Sequence, residues 1–179
     1  MSSYYSPSAL LTDAQKVPCT FTLTVPGLGY LDATPEADLA SGTKVSLPLW
    51  LGEMLAISQN LSTSSLVKLD FPPALSERVL NALKADPRTV DLRQQAANFY
   101  ALGIRMLDLF EHEEMGEVLT ETFKTRAASI ADQAHNPRGA LGEGADFLRG
   151  LDESERELFK AAHDSSKAVR TWMAEISKK

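Results

Sequence analysis

The chain has 179 residues, 18 of them basic and 24 acidic, for a formal charge of −6. That length suits one domain or a domain with a small appendage, and a hydrophobic share of 44% argues against wholesale disorder. No apolar run approaches the roughly 18 residues of a membrane span, Met1-Ser-Ser-Tyr-Tyr5 lacks the basic region and apolar core of a secretory signal, and the single Cys19 excludes a disulfide framework and a cysteine-built zinc site. A reduced, soluble, intracellular protein is expected. The cations are scattered, with the densest cluster at Lys178-Lys179. Tight nucleic-acid binding by this chain alone is therefore not expected, because neutralised phosphates dominate such affinity.

Turn formers crowd the first quarter, with Pro7, Pro18, Pro26, Pro35, Gly27, Gly29 and Gly42 all before residue 48. Ser8 to Gln15 suits one or two helical turns. Val17 to Val25 sets Phe21, Leu23 and Val25 in alternation with Thr20, Thr22 and Thr24, the period of a half-buried strand. Pro26-Gly27 signals a turn, Tyr30-Leu31 a returning strand, and Lys44 to Leu47 a further extended piece. The expected unit, residues 1–47, is small and β-rich, near the size at which one core barely offsets the entropy of ordering. It should lean on other structure.

From Pro48 the pattern turns helical. Leu49 to Ser58 reads as a short apolar helix with Pro48 suited to its first turn. Leu66 to Leu69 reads as a brief extended link. Pro72-Pro73 opens a helix to about Ala85, with Leu75, Val79, Leu80 and Leu83 on one side, and Asp86-Pro87 stops it. Asp91 and Gln94 form a capping pair before a long helix from Leu92 to about Phe110. Its core stripe is Leu92, Ala96, Phe99, Gly103, Met106, Leu107 and Phe110, yet Leu102 and Leu109 fall to one side and Ile104 to the other. Such a surplus fits a helix buried by its own neighbours or one covered by another chain. Glu117 to Ala134 carries Leu119, Phe123, Ala127, Ile130 and Ala134 on one face. Asn136 to Gly144 reads as a loop. Asp152 and Glu155 make a second capping box, followed by Leu158, Ala162, Ser165, Val169, Trp172 and Ile176 in steps of four and three, the seam of a packed helix pair. The fold class is mainly α with a small N-terminal β-rich domain (α+β), residues 48–179 forming a helical bundle domain of about five helices.

Residues able to carry chemistry do not converge. Asp132 and His135 have the spacing of half a carboxylate-bridged di-metal site, but neither His112 nor His163 follows a carboxylate by three residues, so the complementary half is missing. Gly27-Leu-Gly29 lacks the third glycine of a dinucleotide loop, and Arg138 to Gly144 lacks the lysine and hydroxyl of a phosphate loop. No Gly-x-Ser-x-Gly elbow occurs. Cys19, inside the strand, suits inert packing. Neither an enzyme nor a cofactor or metal site is expected. A metal-dependent hydrolase built on Asp132, His135 and nearby glutamates, and a free-standing helical adaptor, are the rival readings.

Particular blocks say more. Gly42-Thr-Lys-Val-Ser-Leu-Pro-Leu-Trp-Leu51 resembles the junction segment of a GINS replication-complex subunit, nearest to the third partner-of-Sld-five branch. Asp86-Pro-Arg-Thr-Val-Asp-Leu92, Asn98-Phe-Tyr-Ala-Leu-Gly103 and Leu151-Asp-Glu-Ser-Glu-Arg-Glu-Leu-Phe159 resemble that family's following blocks in order. The resemblance runs over roughly residues 8 to 175 and is weakest between Asn136 and Gly150. It implies a non-catalytic scaffold in a heterotetramer with three other GINS subunits, each combining a helical and a small β domain. It further implies that the tetramer binds and activates the MCM ring with its activating partner, reaches a leading-strand polymerase indirectly, and touches DNA only through the assembly. The implied location is the nucleus, with no membrane contact. Leu102, Ile104, Leu109, Trp172 and Ile176 are the expected protein-interface residues. Leu47, Pro48, Leu49, Trp50 and Leu51 are expected at the domain junction, with Trp50 and Phe99 holding junction and core together.

Overall fold

The computed structural model describes residues 5–34, 37–58, 65–135 and 144–176. The chain divides into two compact units, Met1–Pro73 and Ala74–Lys179. In the first, helix α1 (Pro7–Asp13) leads into strand β1 (Lys16–Phe21), followed by a 3-10 turn (Gly29–Asp32), β2 (Lys44–Pro48), α2 (Leu49–Ile57) and β3 (Val67–Leu69). Ser6 caps α1 by accepting from the Ala9 amide, with Pro7 in the first turn.

The sheet has the order β2-β1-β3, with both pairings antiparallel. Alternation along β1 drives Val17, Cys19 and Phe21 to one side, where Val45, Leu47, Val67 and Leu69 join them in the core. Helix α2 lies on this apolar face. Gly52 permits the approach, since a β-carbon there would stand 2.7 Å from Leu69 Cδ1 and 3.0 Å from Cys19 Sγ. Burial raises the Cys19 thiol pKa, as inert packing requires.

Several expectations change here. The strand ends at Phe21, and Val25 forms only an isolated bridge with Leu39. Tyr30-Leu31 is a 3-10 turn and not a returning strand; Gly29 and Tyr30 accept the closing bonds from Thr34 and Ala33. The extended link at residues 66–69 contributes a third strand, so the unit runs to Pro73 and not to residue 47. Leu47 to Leu51 therefore forms the β2–α2 turn inside this unit and not a junction between domains. Leu47 and Leu49 are core, Pro48 and Leu51 are half-buried, and Trp50 is 50% exposed, so Trp50 does not hold a core together.

The second unit is helical. After a 3-10 turn (Pro73–Leu75), α3 (Glu77–Ala85) buries Leu80 and Leu83, and Asp86-Pro87 ends it as expected. Then come α4 (Leu92–Gln95), α5 (Phe99–Leu109), α6 (Glu113–His135), α7 (Gly144–Arg149) and α8 (Glu153–Ile176). Asp91 accepts from the Gln94 amide at 2.9 Å, the expected cap. Helix α6 is the centre, packed against α3, α5 and α8. Gly103 brings α5 close to it, a β-carbon there falling 2.6 Å from Leu119 Cδ1.

The expected continuous helix from Leu92 to Phe110 is broken. Ala96 is extended (φ −158, ψ 138), which frees the next backbone groups to bond outside the helix. The Glu153 amide donates to the Ala97 carbonyl, and the Phe99 amide donates to Asp152 Oδ1 at 2.7 Å. Tertiary hydrogen bonds thus replace the helical ones lost at the break. The loop expected over Asn136 to Gly144 lies outside the described residues at 136–143, and Gly144 begins α7.

Candidate subunit interface

The start of α8 is fixed by buried charge. Asp152 and Glu155 form the expected capping box: Asp152 accepts from the Ser154 amide at 3.1 Å, and Glu155 Oε2 accepts from the Asp152 amide at 3.2 Å. Glu155 is also the partner of Arg126 on α6, with Arg126 Nε donating to Glu155 Oε1 at 2.7 Å and Nη2 to Oε2 at 2.9 Å. Both side chains are fully buried.

Such a pair stabilises a fold only when every remaining donor and acceptor is satisfied. Here they are. Arg126 Nη1 donates to the carbonyls of Pro87 at 2.8 Å and Val90 at 3.0 Å, and Nη2 to Gly150 at 3.3 Å. The Tyr100 hydroxyl donates to Glu155 Oε1 at 3.0 Å. The Phe147 ring lies 4.8 Å from Arg126 Cζ, a cation–π contact. Burial, with the Glu155 carboxylate beside it, pushes the Tyr100 phenol pKa far up. Burial also raises the Asp152 carboxyl, against the amides of Phe99, Ser154 and Glu153 that favour its charge.

Beyond this knot the side chains reverse. On α8 the seam residue Val169 is half exposed, Trp172 is 60% exposed and Ile176 is 53% exposed, with Met173 alongside them. These residues recur at helical spacing, so they share one side of a helix whose last turns are exposed throughout. The expected seam is therefore in contact with this chain only near its start.

The five expected interface residues separate. Trp172 and Ile176 fall together on the exposed end of α8, and Ile104, 59% exposed, lies apart on α5. Leu109 is half-buried. Leu102, expected at the interface, is wholly inside the helical core and offers no surface to a partner. Its offset from the main stripe is taken up within the helical unit, where α5 packs against α4 and α6. Phe99 is fully buried, as a core residue should be. Sequence reading missed the outward row Trp50, Met54 and Ile57 on α2, although its i, i+4, i+7 spacing was visible.

His135 Nδ1 lies 2.7 Å from the Ala131 carbonyl, and among the described residues no group of three or more His, Cys, Asp or Glu side chains could hold an ion. The open groove between α3 and α6, about 1010 Å³, is lined by Leu83, Lys84, Glu117, Thr120 and Glu121 among others. No described helix is long and apolar enough to cross a membrane.

A small sheet unit followed by a bundle whose last helix exposes an apolar side defines an assembly component. Comparison with known families agrees: residues 74–174 match the GINS complex protein helical bundle domain, and residues 5–57 match the PSF3 N-terminal domain. The chain is 73% identical to a Phaeosphaeria nodorum protein over the full length of both, and 64% identical to one from Aspergillus fumigatus over 99% of each. A Schizosaccharomyces pombe relative is 35% identical over 97% of this chain and 99% of its own. All three relatives are called DNA replication complex GINS protein PSF3. The chain belongs to the PSF3 family of GINS subunits.

Proposed function

We propose that this protein is a non-catalytic structural subunit of a GINS heterotetramer, held to its sister subunits in part through the exposed end of α8. The observation that carries this reading is the row Val169, Trp172 and Ile176 on a chain that matches GINS subunits along its whole length. An apolar row of this kind resembles the apolar centre of a protein interface and gains free energy when a partner covers it. Aromatic anchors such as Trp172 concentrate binding energy at the centre of an interface. Ile104 on α5 is a second, separate contact point, and Leu109 contributes from its edge.

In this role the chain acts in the nucleus as part of the replicative helicase. The tetramer engages the MCM ring and its activating partner, and connects indirectly to the leading-strand polymerase. The ring hydrolyses ATP; this subunit contributes shape and contact area.

Co-expression with the three sister subunits, followed by mass spectrometry of the intact complex, tests the proposal. A four-subunit complex is expected, and Trp172→Glu combined with Ile176→Glu should reduce it strongly. A well-behaved monomer that ignores its sisters, or a full yield of complex with the double variant, would overturn the assignment.

A further inference from the structure

The first 73 residues contain only three basic side chains, Lys16, Lys44 and Lys68, against six carboxylates. The sheet gathers all three on one face. Along β1 the apolar side is taken by Val17, Cys19 and Phe21, so Lys16, Pro18 and Thr20 point the other way. The register then sets Thr20 opposite Lys44 on β2 and opposite Lys68 on β3. The result is a cross-strand row Lys44–Thr20–Lys68, with Lys16 further along the central strand.

All three lysines are exposed. Lys16 and Lys68 have no ion-pair partner among the described residues. Lys44 Nζ lies 3.6 Å from Asp70 Oδ2, with its side chain 73% exposed, and Thr20 donates to the same oxygen at 2.8 Å. The other described acids of the unit lie off this face, Asp13 on α1, Glu53 on α2, and Asp32 and Asp38 at or beyond the 3-10 turn. A chain that is acidic overall therefore carries a local surplus of positive charge on a flat surface about 10 Å across two strand spacings and about 13 Å along β1.

We infer that this lysine face meets the phosphate backbone of nucleic acid within the assembled complex, an inference that rests on the GINS reading above. Three point charges spread over one face, with Asp70 the single described acid among them, suit a polymer that carries a charge at every repeat, as a phosphate backbone does. With no arginine in the unit, no planar fork fixes the register, and lysines meet phosphates as point charges. The Ser46 hydroxyl on the same face of β2 adds a donor of the kind that contacts phosphate oxygens. Among the described residues the face presents no aromatic ring on which a base could stack, so the contact positions the polymer without reading its sequence.

The test uses the assembled tetramer with Lys16→Gln, Lys44→Gln and Lys68→Gln combined, and a matching triple lysine-to-arginine variant. Binding to labelled single-stranded and duplex oligonucleotides of mixed sequence is followed by anisotropy across a salt series. Loss of three phosphate contacts should weaken binding about tenfold or more at low salt and flatten the log–log salt slope by about 2 on a single strand. The arginine variant should bind like the original. No measurable binding by the unmodified tetramer, or equal affinity and slope for the glutamine variant, would overturn the inference. So would preferential loss of binding to a polyglutamate peptide, which would assign the face to an acidic protein. Intact mass of each tetramer, measured on the same samples, reads assembly separately, so failure of the lysine face and failure of the GINS reading are distinguishable.

Discussion

At its start, α8 holds Asp152 and Glu155 inside the helical unit, whereas at its end the same helix leaves Trp172 and Ile176 in the open. Charge is inside where it is met by a complete set of partners, and hydrocarbon is outside where the described residues supply none. The difference separates two tasks. The buried end orients the helix through directional bonds that tolerate only one geometry, and the exposed end offers area that another surface can cover. Hydrophobicity alone would have ranked the two ends in the opposite order.

The largest effect expected from breaking this contrast comes at the buried end. Glu155→Ala leaves the Arg126 guanidinium uncompensated and should cost about 3–5 kcal/mol of stability, read from the denaturant midpoint of the purified complex or chain. A shift below about 1 kcal/mol would mean that water reaches the pair. At the exposed end, Trp172→Ala should weaken assembly by about 2 kcal/mol or more while shifting the unfolding midpoint of the chain by under about 0.5 kcal/mol. Titration of the variant against its sister subunits, with a melt of each sample, checks both halves.

Asp152→Ala removes the helix cap and the acceptor of the Phe99 amide together and should cost about 1–3 kcal/mol. Hydrogen exchange should quicken first at Phe99 and Ser154; unchanged protection there would refute the account of the α4–α5 break. The smallest effect concerns an exposed pair. Lys84 bonds the Glu114 carboxylate and holds its pKa below the ordinary glutamate range. Because the folded value is depressed, the contribution is present above the unfolded value and lost as pH falls through the folded one. An NMR titration should find Glu114 shifted down in the original chain and back in the usual range in Lys84→Ala, with hardly any change in stability.

How much of this was legible depends on whether the partners lie nearby in sequence. The capping pairs Asp91–Gln94 and Asp152–Glu155 were readable because donor and acceptor are three residues apart. The stop at Asp86-Pro87 was readable for the same local reason, and the expected strand over Val17 to Val25 only as far as Phe21. The break after Gln95 was not, because the apolar stripe runs straight through it and its compensating groups sit at residues 152 and 153. Arg126 was equally hidden, since a charged residue beside Phe123 and Ala127 reads as the polar edge of α6 until the carbonyls of Pro87, Val90 and Gly150 surround it. Membership in the GINS family was legible from short blocks of residues, and the choice among outward residues was not: Leu102 and Trp172 look alike in a helical pattern and differ only once neighbours are in place.

Arg126 also imposes an order on biosynthesis. Its counter-ion belongs to the last helix, so during translation the guanidinium emerges with Pro87 and Val90 already made but without the carboxylate that neutralises it. The helical unit can close only when residues 150–155 have left the ribosome, shortly before the tryptophan-bearing end follows. The exposed apolar end of α8 thus becomes available at nearly the same moment as the body that supports it.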